Sequence, residues 1–214
     1  MRLDDRPYTE ADMIVPVEQW YLTVEDTNYA IHFLEEEVVG KGKKKPFFMY
    51  YATHAPHWPL QAPRADVDRY LGVFEDGTTA ARKRRYAGMI GRGIIDPENC
   101  PLSPLGDNTP TWESLSGAEK DYYQLALAIH TAMVYRMDQE LGRLFDYLKQ
   151  KDLFRNTVIF FMSDNGASAE GNPTFIPPGR RMGDRGTHSR LNDVGAAVCN
   201  TPLRGFKSSL YEGG

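Results

Sequence analysis

Residues 157–166 read TVIFFMSDNG, and this stretch decides the fold prediction. Residues 157–162 carry no charge and are rich in β-branched and aromatic side chains. Such a run is typical of a strand that is covered on both faces of a sheet. The strand is predicted to end at residues 163–166, because Ser, Asp, Asn and Gly all favour turns.

A long helix is predicted just before this strand, from Ser116 to about Lys151. Ser116 and Glu119 form the S-x-x-E pattern of a capping box. Apolar residues then recur at spacings of three and four, as in an amphipathic helix. These residues are Leu125, Ile129, Ala132, Met133, Met137, Leu141, Leu144, Phe145 and Leu148.

A second apolar run, residues 47–52 (FFMYYA), predicts another strand buried on both faces. A helix is predicted ahead of it from Thr23, with Thr23 and Asp26 as a capping pair and with Ile31, Leu34 and Val38 near one face. Strand, long helix and strand form a βαβ unit. The sequence therefore predicts an α/β fold with a parallel sheet.

Two other regions give weaker signals. Residues 64–116 alternate short helical pieces with turns rich in Pro, Gly and Asn, which predicts a long irregular excursion. Residues 167–214 are polar and rich in glycine, and little regular structure is predicted there.

Composition excludes some classes of protein. The 214 residues are 41% hydrophobic and 25% charged, which is enough for one sizeable core. The net charge of −4 argues against a nucleic-acid partner. No apolar run has the length of a membrane span, and residues 1–6 do not read as a signal peptide. Cys100 and Cys199 are too few for a disulfide scaffold, although one bridge between them is conceivable.

The topology predicts where ligands bind. In an open parallel sheet they bind beyond the carboxyl ends of the strands, which here lead into residues 53–57 and 163–166. Both loops are therefore expected at one rim. Asp164 and Asn165 offer hard oxygen ligands that suit Ca²⁺ or Mg²⁺. The alternative is that Asp-Asn-Gly is only a turn.

His57 is a candidate general acid or hydrogen-bond donor to an anionic substrate. His54 competes for this role, and either histidine could be merely structural. Lys207 could hold an anionic oxygen, although a lysine is by default a solvated surface group. His188 and Arg190 lie in the glycine-rich tail and could line the same pocket.

These segments, taken in order, resemble the sulfatase family of the alkaline-phosphatase-like superfamily, and the arylsulfatases in particular. The ordered set covers almost the whole chain and is more specific than any single segment. The matching segments are residues 46–52, 55–63, 133–142, 156–166 and 200–214.

The resemblance implies a fold and a set of roles. It implies an alkaline-phosphatase-like sandwich with a mainly parallel sheet flanked by helices, of which residues 1–214 are an incomplete catalytic domain. Asp164 and Asn165 match two ligands of a calcium ion, with Mg²⁺ less favoured. His57 and Lys207 match residues that contact the sulfate and assist departure of the alcohol. A formylglycine nucleophile and a small-molecule or carbohydrate sulfate ester are implied as well.

The departures from the family pattern concern the nucleophile and the first two metal ligands. Formylglycine is made from Cys or Ser in a C-x-P-x-R motif, and the sequence holds none. Cys199 is followed by proline and arginine one position too far along. The Asp4–Asp5 pair lacks the apolar run that precedes the family's first two metal ligands. We therefore expect the nucleophile in an N-terminal segment outside this chain, and a fragment that is inactive alone.

Other predictions stay open at this stage. A hydrolase of phosphate or phosphonate esters from the same superfamily is one alternative, and a truncated, non-catalytic binding module is another. The family resemblance implies a periplasmic or secreted protein. The sequence does not fix the substrate alcohol or the oligomeric state.

Overall fold

The chain forms two compact units in a computed structural model. The first comprises residues 1–55 and 134–159, and the second comprises residues 56–133 and 160–214. The Asp4–Asp5 pair lies outside the described residues. Those residues are 2–3, 6–17, 19–43, 45–106, 108–171 and 174–214.

The first unit begins with a short antiparallel hairpin of β1 (Arg2–Leu3) and β2 (Arg6–Pro7). Helix α1 (Leu22–Phe33) follows and continues as a π-helical segment, Leu34–Val39. The predicted helix is confirmed. The predicted cap is wrong, because Tyr21 is the N-cap residue and no side chain caps the helix.

The core of the first unit lies between this helical segment and the end of the long helix. Leu34 and Val38 are buried, as their spacing predicted. They pack in one cluster with Leu144 and Leu148. The cluster therefore joins segments that are about a hundred residues apart in sequence.

The run at residues 47–52 is not a strand in this structure, and burial on both of its faces is wrong. Phe47, Met49 and Tyr51 pack against the core cluster, whereas Phe48 is 93% exposed and Tyr50 82% exposed. This alternation is that of an extended chain with one covered face. A sheet strand also needs a hydrogen-bonded neighbour, and the sheet within the described residues consists of β1 and β2.

The long helix α4 spans Gly117–Gln150, as predicted. Its capping box is present: the Glu119 N–H donates to Ser116 Oγ (3.3 Å), and the Ser116 N–H donates to Glu119 Oε2 (2.8 Å). The face predicted to be apolar is buried at Ile129, Ala132 and Met133. No helix within the described residues combines the length and apolar composition that a bilayer crossing requires.

The second unit contains more helix than the sequence predicted. Residues 64–116 include α2 (Arg64–Val67), α3 (Gly77–Gly91) and a 3₁₀ turn, Trp112–Ser114. The prediction of little regular structure after residue 167 is wrong at α5 (Asn192–Asn200).

Helix α5 is held by α3. The Arg82 Nε donates to Thr201 Oγ1 (3.3 Å), and the Arg85 Nε donates to the Thr201 carbonyl (3.1 Å). Val194 of α5 also joins a core cluster with Leu115 and Tyr123. Tertiary contacts therefore stabilise this helix, which sequence propensity alone does not indicate.

The run at residues 157–162 likewise has no strand pairing among the described residues. Phe160, Phe161 and Met162 are 81%, 75% and 74% exposed. The predicted burial on both faces is therefore wrong for this structure. A covered parallel strand needs neighbours in the sheet and helices on both faces.

Candidate active site

The side chains of His57 and Lys207 meet in the second unit, although 150 residues separate them in sequence. The Lys207 Nζ lies 3.4 Å from His57 Nε2. Both residues are partly buried. The sequence proposed the two residues independently, one as an acid or donor and the other as a cation. The structure brings them into contact.

The partners of His57 fix its tautomer. An ammonium group can only donate hydrogen bonds, so His57 Nε2 must accept from Lys207. The proton of the neutral imidazole then lies on Nδ1, which donates to the Trp58 carbonyl at 2.8 Å. The ring therefore presents Nε2 to Lys207 and is held from behind by the backbone of the next residue.

Lys207 is tied to the loop that follows Asp164. The Lys207 N–H donates to the Ala167 carbonyl (3.0 Å). The Ala167 N–H in turn donates to Asn200 Oδ1 (2.7 Å). Both polar backbone groups of Ala167 are therefore used to join the candidate metal loop to the lysine loop.

Asn200 at the end of α5 is the centre of this arrangement. Its Nδ2 donates to the Gly205 carbonyl (2.8 Å) and to the Gly213 carbonyl (2.7 Å). One amide thus holds three loop segments with both its oxygen and its nitrogen. The sequence analysis missed this role. The available signal was an asparagine at a helix end that is followed by a glycine-rich loop.

Close backbone approach explains two glycines near Asn200. A Cβ atom added at Gly166 would lie 1.6 Å from the Gly213 oxygen. A Cβ atom at Gly213 would lie 2.6 Å from the Arg204 oxygen. Both positions exclude any larger residue without movement of the backbone, so the loops pack main chain against main chain.

Asp164 and Asn165 stand at the start of this packed region. Asp164 is exposed and Asn165 is partly buried. The Asn165 Nδ2 donates to the Gly166 carbonyl (3.0 Å), which leaves the amide oxygen as the group that could ligate a cation. A carboxylate and an amide oxygen fit a calcium ion chemically but are too few to complete its shell of six to eight oxygens. That Asp164 and His57 share one mouth stays a prediction.

The other candidates fall in different places. His54 is exposed and belongs to the first unit. His188 and Arg190 both contact the Trp58 ring, in the second unit. Within the described ranges, no group of three or more His, Cys, Asp or Glu side chains could hold a metal ion.

The family model described as sulfatase matches residues 6–214. The chain belongs to the sulfatase family. The resemblance seen in the sequence is therefore confirmed, and membership implies the family's alkaline-phosphatase-like α/β fold.

Individual sulfatases show the same relationship. An uncharacterized sulfatase of Schizosaccharomyces pombe is 37% identical over 66% of this chain and 26% of its own length. An arylsulfatase of Klebsiella aerogenes is 31% identical over 80% of this chain and 39% of its own length. A sulfatase of Formosa agariphila is 25% identical over 86% of this chain and 29% of its own length. The chain thus spans well under half the length of these relatives.

Cys199, the near match to the sulfatase nucleophile motif, lies in a setting that suppresses reactivity. Its Sγ lies 3.7 Å from His130 Nδ1. Burial raises the pKa of the Cys199 thiol to about 12, and the charge of Arg85 only partly offsets that rise. The thiol is therefore protonated at neutral pH and is a poor nucleophile. Cys100 and Cys199 are both free.

Proposed function

We propose that the protein containing this chain hydrolyses sulfate monoesters, and that residues 1–214 are part of its catalytic domain. The contact of His57 with Lys207 carries this proposal. In a member of the sulfatase family, two nitrogen groups at this distance can both reach one ester oxygen. A sulfuric ester hydrolase of the arylsulfatase type is the specific form we propose.

The nucleophile is proposed to come from polypeptide outside this chain. The sequence contains no C-x-P-x-R motif, and the relatives are much longer than the part that aligns. In the same proposal, residues 47–52 and 157–162 become strands of a mainly parallel sheet when the rest of the domain covers them. The exposure of Phe48 and Phe160 agrees with such a cover.

Lys207 is proposed to stabilise the negative charge that develops on the leaving oxygen. Lys207 is partly buried, and in a site that excludes water the attraction between opposite charges is stronger than in bulk solvent. A positioned donor of this kind typically contributes about 10²–10³ in rate. Lys207 cannot accept a proton while it is charged, so it is a binding and stabilising group.

His57 is proposed to be the proton donor to the leaving alcohol. Its Nδ1–H is already used by the Trp58 carbonyl, so Nε2 is the atom that faces the reaction. When the ester oxygen takes the place of the Lys207 contact, an imidazole that has bound a second proton on Nε2 can give that proton to the oxygen as the S–O bond breaks. The fixed Nδ1 contact keeps the ring in the correct orientation for this transfer.

Asp164 and Asn165 are proposed to supply two of the oxygen ligands of a calcium ion, with Mg²⁺ as the less favoured ion. A calcium ion bound there would polarise the sulfate and so favour attack on sulfur by a formylglycine hydrate. The hydrogen bond from the Lys207 N–H to the Ala167 carbonyl supports a site in which these two ligands lie near Lys207.

The proposed substrate is a sulfate ester of a small molecule or a carbohydrate. By family resemblance, the proposed location is periplasmic or secreted. A hydrolase of phosphate or phosphonate esters from the same superfamily is the competing function, since it would use the same metal ligands.

Turnover by the full-length protein tests the proposal. We expect hydrolysis of 4-methylumbelliferyl sulfate to exceed hydrolysis of the matched phosphate by a large factor. His57→Ala should lose turnover and keep calcium, because the imidazole is not a metal ligand. Asp164→Ala should weaken calcium binding in a titration, because one carboxylate ligand is lost.

One control variant and three possible outcomes test the roles assigned to His57 and Asp164 and the choice of sulfate over phosphate. His54→Ala should keep turnover, since the proposal gives the acid role to His57, which contacts Lys207. Faster hydrolysis of the phosphate ester would replace sulfate hydrolysis with phosphoryl transfer as the function. Full activity in His57→Ala, or an unchanged calcium titration in Asp164→Ala, would remove the corresponding residue from the site.

A further inference from the structure

Trp58 stands at the centre of a cluster that adjoins His57. Its ring centroid lies 4.7 Å from that of His57 and 5.4 Å from that of His188. The guanidinium carbon of Arg190 lies 4.0 Å from the Trp58 ring centroid, which is cation–π contact. The indole is therefore held by the catalytic candidate and by two further residues of the second unit.

The polar edge of the indole is also fixed. The Trp58 Nε1 donates to Glu170 Oε2 at 3.1 Å and lies 3.3 Å from Ser168 Oγ. Glu170 and Ser168 follow Ala167, whose backbone binds Asn200 and Lys207. The indole edge thus meets the chain segment that also holds the lysine.

Arg190 is anchored to α4 at its backbone. The Arg190 N–H donates to the Tyr122 hydroxyl (3.2 Å), and the same hydroxyl donates to the Arg190 carbonyl (2.7 Å). The Arg190 Nη1 donates to the Gly171 carbonyl (3.3 Å). The Arg190 Nε is buried and has no hydrogen-bond partner within the described part of the chain, and the guanidinium lies over the Trp58 ring.

We infer that Trp58 is a positioning residue for His57, and that Arg190 and Glu170 hold Trp58 in place. The Trp58 carbonyl accepts the His57 Nδ1–H, so the orientation of this peptide sets both the tautomer and the direction of Nε2. A side chain fixed on its face by Arg190 and at its edge by Glu170 restricts that peptide. This inference rests on the proposed function.

The expected effect follows from the geometry of proton transfer. A displacement of about 1 Å in a reacting group can cost as much as about 10²-fold in rate. Loss of the indole would leave the carbonyl in place but less restrained, so a smaller loss is expected. Substrate binding should change little, because Trp58 acts through His57.

Trp58→Ala in the full-length protein is the main test. We expect kcat for a sulfate ester to fall about 10-fold with KM nearly unchanged. Trp58→Phe should recover most of kcat, because a benzene ring can keep the contacts with His57 and Arg190. Trp112→Phe is the matched control, since it alters another partly buried tryptophan, which packs against Leu115, Tyr123 and Val194, and it should leave kcat per folded enzyme unchanged.

Nitrogen-15 NMR of the histidine side chains supplies a readout that does not need turnover. His57 should show the Nδ1–H tautomer in the unmutated protein, and a mixture of tautomers in Trp58→Ala. A wild-type kcat together with an unchanged His57 spectrum in Trp58→Ala would overturn the positioning role. Absence of sulfate turnover in the unmutated protein would instead overturn the proposed function, while the tautomer measurement still tests the inference.

Discussion

The loops around Asn200 and the apolar run Phe160–Met162 belong to the same unit but are built in opposite ways. The loops are held by hydrogen bonds from a single amide to three segments. The apolar run is at least 74% exposed at all three side chains. Local packing therefore holds the first region together, whereas the second is left uncovered by the described residues.

The difference shows how the candidate site depends on the fold. Lys207 is held by the Ala167 backbone, which the Asn200 side chain ties in turn, and His57 is held by the Trp58 carbonyl, without a sheet. A sheet strand gains most of its stability from neighbours on either side. The residues that position Lys207 are therefore packed in this structure, whereas the apolar run that leads to Asp164 is exposed.

Gly166→Ala should have the largest effect on this comparison. The new Cβ would lie 1.6 Å from the Gly213 oxygen, so the loops must separate. We expect the free energy of unfolding to fall by more than about 4 kcal/mol, or the protein to fail to fold. Urea denaturation of the full-length protein measures this.

Gly142→Ala is the control for this glycine. Its Cβ meets nothing within 4 Å, and Gly142 lies inside α4. Alanine should stabilise the protein by up to about 1 kcal/mol, because glycine is a poor helix former. Equal and small effects at both positions would show that the close approach of Gly166 to Gly213 does not exist.

Acid should lower the free energy of unfolding through His130, which belongs to the second unit. Burial, and secondarily the charge of Arg85, lowers the pKa of His130 to about 4. Between pH 6.5 and 4 the folded protein therefore binds fewer protons than the unfolded chain. The contribution of His130 to the free energy of unfolding is fully present above pH 6.5. It is lost as the pH falls toward 4, and this loss amounts to at most about 3 kcal/mol.

Denaturation at a series of pH values checks this effect. His130→Gln should remove part of the loss of stability between pH 6.5 and 4, since a glutamine does not titrate. The same pH dependence in the variant and in the unmutated protein would exclude His130 as its source.

Asn200→Ala should cost less, about 2 kcal/mol of unfolding free energy, because three hydrogen bonds of modest net value are lost. Asn200→Asp should be at least as harmful. It keeps the acceptor for Ala167 but replaces the donor with an anion facing the Gly205 and Gly213 carbonyls. Asn156→Ala, at an exposed site, should change stability by less than about 0.5 kcal/mol. An equally small loss of unfolding free energy in Asn200→Ala would show that the Asn200 amide does not hold the loops together.

The predictions from sequence succeeded where the signals are local. The α4 helix and its Ser116–Glu119 box follow from spacing within a few residues. The helix α5 was missed because Gly195 and Asn192 are poor helix formers. There tertiary packing decides, as the burial of Val194 among core side chains indicates.

The candidate site was predictable as a set of residues but not as an arrangement. His57 and Lys207 were both chosen from the sequence, yet no spacing rule indicates a contact across 150 residues. The parts played by Asn200 and Trp58 depend on contacts with distant backbone groups. They are therefore visible only in three dimensions.

Leaving-group dependence of kcat in Lys207→Ala is the most direct test of the central claim, that His57 and Lys207 serve the departing oxygen. A series of aryl sulfates with phenols of increasing pKa would be hydrolysed by the full-length protein and by the variant. We predict a loss of about 10²–10³ for the poorest leaving groups and a much smaller loss for the best, because a stable phenolate needs little help. An equal loss across the whole series would contradict the account.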